Sequence, residues 1–202
     1  MALISVSNNA LSNITALPAG LPTGALTLLS TQTASSSASI EFTSGIDSTY
    51  DSYVFKFIDI NVGTNGAEFE FQGSTDGGTS YGVTMTTTFF RAGHTESDSD
   101  AFLAYAASSD LNQSTSFQRL NLNQGNNADD SLGGFLNLFN PSSTIFMKHF
   151  ISTTNHSHDT GTPQTVNPYI AGYFNSTSAI NALKFQPSTG TFSGTIKMYG
   201  VK

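Results

Sequence analysis

The chain has no cysteine among its 202 residues. Disulfide bonds, thiolate metal sites and catalysis by a cysteine nucleophile are therefore excluded. Stability has to come from the burial of a core and, we expect, from contacts between subunits. The absence also fits a protein that stays in a reducing cytosol.

Charge is scarce as well, since only 10% of the residues are charged against about 25% in an ordinary globular protein. The seven lysines and arginines are scattered and the net charge is −7, so no basic stripe is available to follow a phosphate backbone. We therefore expect neither nucleic acid nor an anionic membrane surface as a partner. Ser, Thr, Asn and Gln supply the missing polarity, and these residues favour turns and strands over helices.

Long apolar runs are missing too. None approaches the roughly 18–20 residues of a membrane-spanning helix, so we expect no membrane insertion. The first residues, Met1 to Ser5, lack the positive region and the long apolar region of a secretory signal. We expect the chain to remain in the cytosol until assembly or lysis.

The leading residues differ from the rest of the chain. Ser5 to Leu29 carries no charge and contains Pro18 and Pro22, which cannot continue a helix and can pair only at a sheet edge. Its aliphatic side chains would be costly to leave in water, at about 25 cal/mol per Å². We predict an extended arm over residues 1–33 that docks on its own domain or on a neighbouring subunit, in preference to a solvated tail. The side chains expected to dock are Leu3, Ile4, Leu11, Ile14, Leu17 and Leu21.

From residue 34 onward apolar residues recur at every second position, which indicates strands. Further strand signals follow a polar middle at 92–134, within which 101–106 and 117–122 fit either a short strand or a helical turn. About nine or ten short strands at such spacing predict an all-β protein, an antiparallel β-sandwich or jelly roll. We assign residues 34–202 to this single domain. The clearest strand segments are 38–42, 51–60, 67–72, 81–90, 135–139, 144–152, 169–174, 179–185 and 194–201.

A turn motif lies at Ser74 to Tyr81 and is similar to the Asp-box of sialidases and other β-propellers. In that family a Ser, an Asp and a Gly stabilise a hairpin turn without taking part in catalysis. Here we expect Ser74 and Asp76 to bond the turn, with Gly77 and Gly78 supplying positive φ angles. The prediction is a tight hairpin between the strands at 67–72 and 81–90.

Two clusters are weak candidates for metal binding. His156, His158 and Asp159 have the residue types of a zinc site, with the more distant His149, but the flanking residues suggest a surface loop and solvated histidines. The acidic run at 96–100 has oxygen ligands for Ca²⁺ but lacks the glycine and distal glutamate of an EF-hand. We predict no bound metal and no cofactor.

Catalytic residues are not apparent. Glycoside hydrolysis needs two carboxylates across a cleft, whereas Glu41, Glu68 and Glu70 fall at outward positions of predicted strands. We predict that the chain is not an enzyme, and a polysaccharide-cleaving activity is the least favoured alternative. The candidates for stacking on sugar rings instead are Tyr50, Tyr53, Tyr81, Tyr105, Tyr169 and Tyr173.

Three segments, 34–53, 71–78 and 193–201, resemble a group of small virion-associated proteins of tailed phages, especially marine ones. The likeness covers most of the chain beyond the arm. It implies a particle component, and we expect an exterior subunit: a capsid decoration or head-fibre protein, or a tail-fibre or adaptor protein. We expect assembly in the host cytoplasm, a homotrimer and contacts with other virion proteins.

The alternative is a host-receptor or glycan-binding module of a tail fibre. In that case Tyr and Asn side chains on loops at 92–134 and 153–168 would contact host saccharide.

Overall fold

The computed structural model describes residues 26–158 and 161–202. In this part of the chain all regular structure is β, in twelve strands. They are β1 (Thr27–Ser37), β2 (Ile40–Phe42), β3 (Ser52–Val62), β4 (Phe69–Ser74), β5 (Met85–Thr95), β6 (Ala101–Tyr105), β7 (Gln118–Arg119), β8 (Leu132–Phe139), β9 (Lys148–His158), β10 (Gln164–Phe174), β11 (Ala182–Pro187) and β12 (Phe192–Val201).

The strands form two antiparallel sheets. The larger has eight strands in the order β1-β12-β3-β8-β9-β10-β5-β6, and the smaller has four in the order β2-β11-β4-β7. The sheets pack against each other, so the prediction of an all-β sandwich is confirmed. The narrower jelly-roll class stays a prediction.

The edge strand β1 starts at Thr27, inside the range that the sequence assigned to the arm. It pairs with β12, and Thr27 lies opposite Gly200. Ala34 is buried and Leu29 packs against the core, which explains why this apolar stretch joins the sheet. Residues 1–25 lie outside the described residues, so the arm and its docking side chains Leu3, Ile4, Leu11, Ile14, Leu17 and Leu21 stay predictions.

One half of the interior is packed with phenylalanines. Phe185 on β11 lies at its centre, with its ring 5.4 Å from that of Phe57 and 5.5 Å from that of Phe55. Aromatic contacts of this kind add about 0.5–1.5 kcal/mol to the free energy of burial. We call this cluster the phenylalanine half. Its members are Phe42, Phe55, Phe57, Phe69, Phe71, Phe185 and Phe192.

The other half of the interior is closed by the segment 106–131, which contains only the two-residue strand β7. Three of its amide side chains, Gln118, Asn121 and Gln124, are fully buried. Gln124 donates to the carbonyl of Ile60 at 2.6 Å and accepts from Asn121, whose own oxygen accepts the backbone N–H of Phe69. These bonds satisfy backbone groups of β3 and β4. Thr154 and His156 in turn bond the carbonyls of Leu120 and Leu122, which the irregular backbone does not pair with a strand. We call the three amide residues, with Thr87, Thr154 and His156, the amide half.

The turn at residues 75–80 does not form the predicted hairpin. Gly77 and Gly78 do have positive φ, at 74° and 92°, and the chain does reverse there. However, β4 pairs with β11 and β7 in the small sheet, while β5 pairs with β10 and β6 in the large one. The turn therefore carries the chain from one sheet to the other, an outcome that turn chemistry alone does not distinguish from a hairpin.

Candidate functional site

The outward surface of the large sheet is free of formal charge over five neighbouring strands. On β8, β9, β10, β5 and β6, all within the described chain, none of the outward side chains is Asp, Glu, Lys or Arg. We call this surface the outer face. Its residues are Gly133, Phe135, Asn137, Phe139, His149, Ile151, Thr153, Asn155, Ser157, Thr165, Asn167, Tyr169, Ala171, Tyr173, Thr86, Thr88, Phe90, Ala92, His94, Ala101, Leu103 and Tyr105.

An aromatic row crosses the outer face. The strand register places Phe135 beside Thr153, Thr153 beside Tyr169, and Tyr169 beside Phe90. The rings of Phe90 and Tyr169 stack with centroids 5.0 Å apart and planes 10° apart. Tyr105, which is 57% exposed, continues the row on the edge strand β6. These rings remain in contact with solvent rather than being covered by the chain's own described residues.

An open apolar depression of about 350 Å³ lies beside this row. The small side chains of Ala171 and Thr88, adjacent in the register, form its low centre. Larger side chains stand around them, including Ile151, Phe139 and Tyr173. The depression is therefore a shallow concave seat for an apolar side chain.

An apolar loop projects beyond the same end of the sheet. Between β8 and β9, Ile145 and Phe146 are 74% and 67% exposed. The hydroxyl of Ser143 accepts the backbone N–H groups of both residues, which fixes the loop in a turn. Together with the outer face, this loop extends the exposed apolar surface past Phe139.

The opposite surface, on the small sheet, carries paired charges. The Lys184 ammonium lies 3.2 Å from Glu41, and the Arg119 guanidinium lies 3.6 Å from Glu68. Glu70 accepts a hydrogen bond from Gln186, and burial raises the pKa of this carboxyl. The three glutamates lie on or beside one sheet face rather than on two walls of a cleft.

The two histidines at 156 and 158 are not solvated, so that prediction is wrong. Strand β9 runs through His158, and both rings point into the sandwich, with His156 1% and His158 6% exposed. His156 Nε2 donates to the carbonyl of Leu122 at 2.7 Å, and Gln164 bonds His158 Nδ1. Burial lowers the pKa of His156 to about 4, so the ring is neutral near pH 7.

The metal-site candidates gain no support from the described residues. Asp159 lies outside them. Among those that are described, no group of three or more His, Cys, Asp or Glu side chains is arranged to hold a metal ion. In the acidic run, Thr95 Oγ1 accepts the backbone N–H groups of Ser99 and Asp100, which makes this segment the connecting turn between β5 and β6.

The turn residues form the bonding pattern that the sequence predicted, although the turn joins two sheets. Ser74 Oγ donates to Asp76 at 2.6 Å and accepts the backbone N–H of Gly78. The hydrogen bonds from Ser74 and Ser80 lower the pKa of Asp76 to about 2. Gly77 N–H donates to Asn181 across the sheet end, so the motif has a structural role.

The predicted sugar-binding loops are partly strands. Residues 153–158 and 164–168 belong to β9 and β10, and Tyr53 is fully buried with its hydroxyl bonded to Asp47. Tyr105, Tyr169 and Tyr173 are the candidates that reach the outer face. In the segment 106–131, Gln118, Asn121 and Gln124 point inward, so their amides are not free to contact a ligand.

The sequence patterns did not lead us to predict the outer face. One signal for it was present, because Lys148 and Asp159 are the only formally charged residues between Asp130 and Lys184. A stretch of strands that is charge-poor at both odd and even positions predicts that both faces are covered. In the structure, only the inward face is covered by described residues.

No family model matches the chain, and neither a curated protein nor a solved structure matches it. The described residues contain no helix of the length and hydrophobicity needed to cross a membrane.

Proposed function

We propose that this chain is a structural subunit of a tailed-phage virion, exposed on the particle as a capsid decoration or head-fibre protein, or as a tail-fibre or adaptor protein. The observation that carries the proposal is the uncharged, aromatic outer face. Soluble monomers rarely expose contiguous apolar patches of more than a few hundred Å², and larger ones mark interaction sites. The resemblance of residues 34–53, 71–78 and 193–201 to virion proteins supports the same assignment.

The distribution of charge fits a subunit with one assembling side. The small sheet carries Glu41, Lys184, Glu68 and Arg119 in pairs, which suits a surface in contact with water. The outer face carries nothing that must be desolvated as an ion when a partner covers it, and desolvating ions is the costly part of burying a surface. The subunit needs no catalytic group for this role, and we propose that it is not an enzyme.

The location of the chain on particles tests the proposal. An antibody against residues 26–202 should label intact phage particles from the source lysate in electron micrographs, at the heads or at the tails. A chain that lacks residues 1–25 should fold but not be incorporated, because we propose that the subunits assemble through the arm. The deletion has to stop at Ala25, since β1 begins at Thr27. Unlabelled particles would contradict the proposal.

A second candidate function uses the same surface to bind host glycan. The outer face places amides, Asn155 and Asn167, on the same side as Tyr169 and Phe90, and aromatic rings with neighbouring amides are suited to hold sugars. A glycan array with the purified chain tests this function. Binding that is lost in Tyr169→Ala, with folding intact, would favour the receptor-binding role, and an array without signal would exclude it for the glycans displayed.

A further inference from the structure

We propose that the outer face of one subunit binds the leading segment, residues Met1 to Ala25, of a second copy of the same chain. This inference rests on the proposed function, because it names the partner that an assembling subunit would place on that surface. It makes the arm and the outer face two halves of one contact.

The two surfaces match in composition. The leading segment contains no Asp, Glu, Lys or Arg, and neither does the outer face. Aliphatic side chains such as Leu11, Ile14 and Leu17 are spaced along the segment, and the face offers an apolar depression of about 350 Å³ around Ala171. Burying these groups together removes apolar surface from water at no cost of desolvating ionised side chains.

The size of the segment also matches. A stable interface uses about 20–30 residues on each side, and the leading segment ends at Ala25, immediately before the described chain. Its two prolines disfavour a helix and favour an extended course. The segment therefore offers about as many residues as one side of a standard interface uses.

The segment is long enough, from the point at which it leaves the domain, to reach a second copy of the chain. Leu26 precedes β1, the edge strand, at the rim where Thr27 lies opposite Gly200. A fully extended segment of this length reaches about 80 Å, at roughly 3.3 Å per residue. The whole eight-stranded sheet is only about 34 Å wide, at roughly 4.8 Å per strand spacing. A fully extended segment would therefore be more than twice as long as its own sheet is wide, which gives it the length to reach a neighbouring copy.

The contact would join two different surfaces, an arm and a sheet face. Such heterologous contacts form closed rings when the rotation between subunits closes, and open filaments when it does not. A ring of three subunits would satisfy every arm and every outer face, in agreement with the homotrimer expected from the sequence.

Sedimentation velocity and native mass spectrometry test the proposal on the purified full chain. We expect the full chain to be an oligomer, the chain without residues 1–25 to be a monomer, and Ile151→Lys to be a monomer. Ile151 is 48% exposed on the outer face, so a lysine there places a positive charge at the apolar depression without changing the packing of the core. Thr33→Lys, an exposed change on β1 of the same sheet, is the matched control and should leave the oligomer intact.

Mixing the two monomeric variants distinguishes exchange between copies from binding within one chain. The Ile151→Lys variant keeps its arm and the truncated chain keeps its outer face, so together they should form a heterodimer with one copy of each. A monomeric full chain, a truncated chain that stays oligomeric, or a mixture without heterodimer would each overturn the inference. Together with the antibody labelling of particles, these measurements separate the two proposals. If particles are labelled but the full chain is a monomer, only the arm contact is overturned. If particles are not labelled but the heterodimer forms, only the virion role is overturned.

Discussion

The phenylalanine half and the amide half of the interior lie beneath the same eight-stranded sheet but are closed in different ways. Over the phenylalanine half, β2, β11 and β4 satisfy their backbone groups by pairing. The side chains that these strands turn toward the large sheet are therefore free to be apolar. Over the amide half the covering segment is irregular, and side chains must bond its backbone. The polarity of a core thus follows from the regularity of the chain that covers it.

The largest effect is expected from the centre of the phenylalanine half. Phe185→Ala should lower the free energy of unfolding by about 3–5 kcal/mol, because it leaves a cavity among five other phenylalanine rings. Urea unfolding measures the change. Phe146→Ala, at a residue that is largely exposed, is the control and should change stability by less than about 0.5 kcal/mol. Equal effects would contradict the assignment of Phe185 as the centre.

The amide half should add a pH dependence that the phenylalanine half lacks. Burial lowers the pKa of His156 from its usual 6.5 to about 4 in the folded state, so the unfolded chain takes up the proton first as pH falls. The stability due to this group is full above pH 6.5 and is lost between about pH 6.5 and 4. The loss amounts to about 3 kcal/mol at 1.36 kcal/mol per pH unit.

Urea unfolding at pH 7 and at pH 4.5 measures this loss in the parent chain and in His156→Gln. The carboxylates are common to both proteins, so their contribution cancels in the comparison. The parent should lose more stability than the variant by about 2–3 kcal/mol. An identical pH dependence in the two proteins would show that His156 is not held neutral by burial.

The bonds of the amide half should each matter more than similar bonds at the surface. Gln124→Met keeps the shape of the side chain but leaves the carbonyl of Ile60 and the amide of Asn121 without a partner. We expect a loss of about 2 kcal/mol, since unsatisfied buried groups cost about 1–3 kcal/mol. Gln113→Met is the matched control, because exposed Gln113 also bonds Thr86 and Asn175 but has water as a substitute. Equal losses would show that burial of the amide does not decide the cost.

The smallest effect is expected at the turn that joins the two sheets. Gly77 and Gly78 both have positive φ, so an alanine at either position costs about 1 kcal/mol for the backbone alone. At Gly78 the added Cβ would also lie 2.7 Å from Thr43 Cγ2, whereas at Gly77 it meets nothing within 4 Å. Thermal unfolding should therefore place Gly78→Ala below Gly77→Ala in Tm. The reverse order would contradict the close packing of this turn.

The strands were the predictable part of this structure. Segments such as 38–42 and 67–72 alternate in hydrophobicity, and in β2 and β4 the buried residues Ile40, Phe42, Phe69 and Phe71 alternate with the less buried Glu41 and Glu70, because the apolar positions share one face. The destination of the turn after Ser74 was not predictable, since positive φ at Gly77 and Gly78 requires a reversal but does not select a sheet.

The candidate site was harder to predict from the sequence than the strands were. His156 and His158 alternate with polar residues on both sides, so the pattern gave no sign of which face was inward. The inward orientation depends on Leu122 and Gln164, which bond the rings from distant positions in the chain or across the β9–β10 pair. The outer face depends on five strands coming together, and its rows of residues exist only once the register is known.

The place of β12 between β1 and β3 has a consequence for the order of folding. Strand β12 pairs with both β1 and β3, and it is the last of the described strands in the chain. Strand β1 therefore has no partner in the sheet until residues 192–201 leave the ribosome. Contacts between such distant segments slow folding, because a long loop must close before any pairing is gained. The described chain at Leu26 is therefore held in place only when synthesis has passed Val201, so the proposed association through the arm would wait until the sandwich is complete.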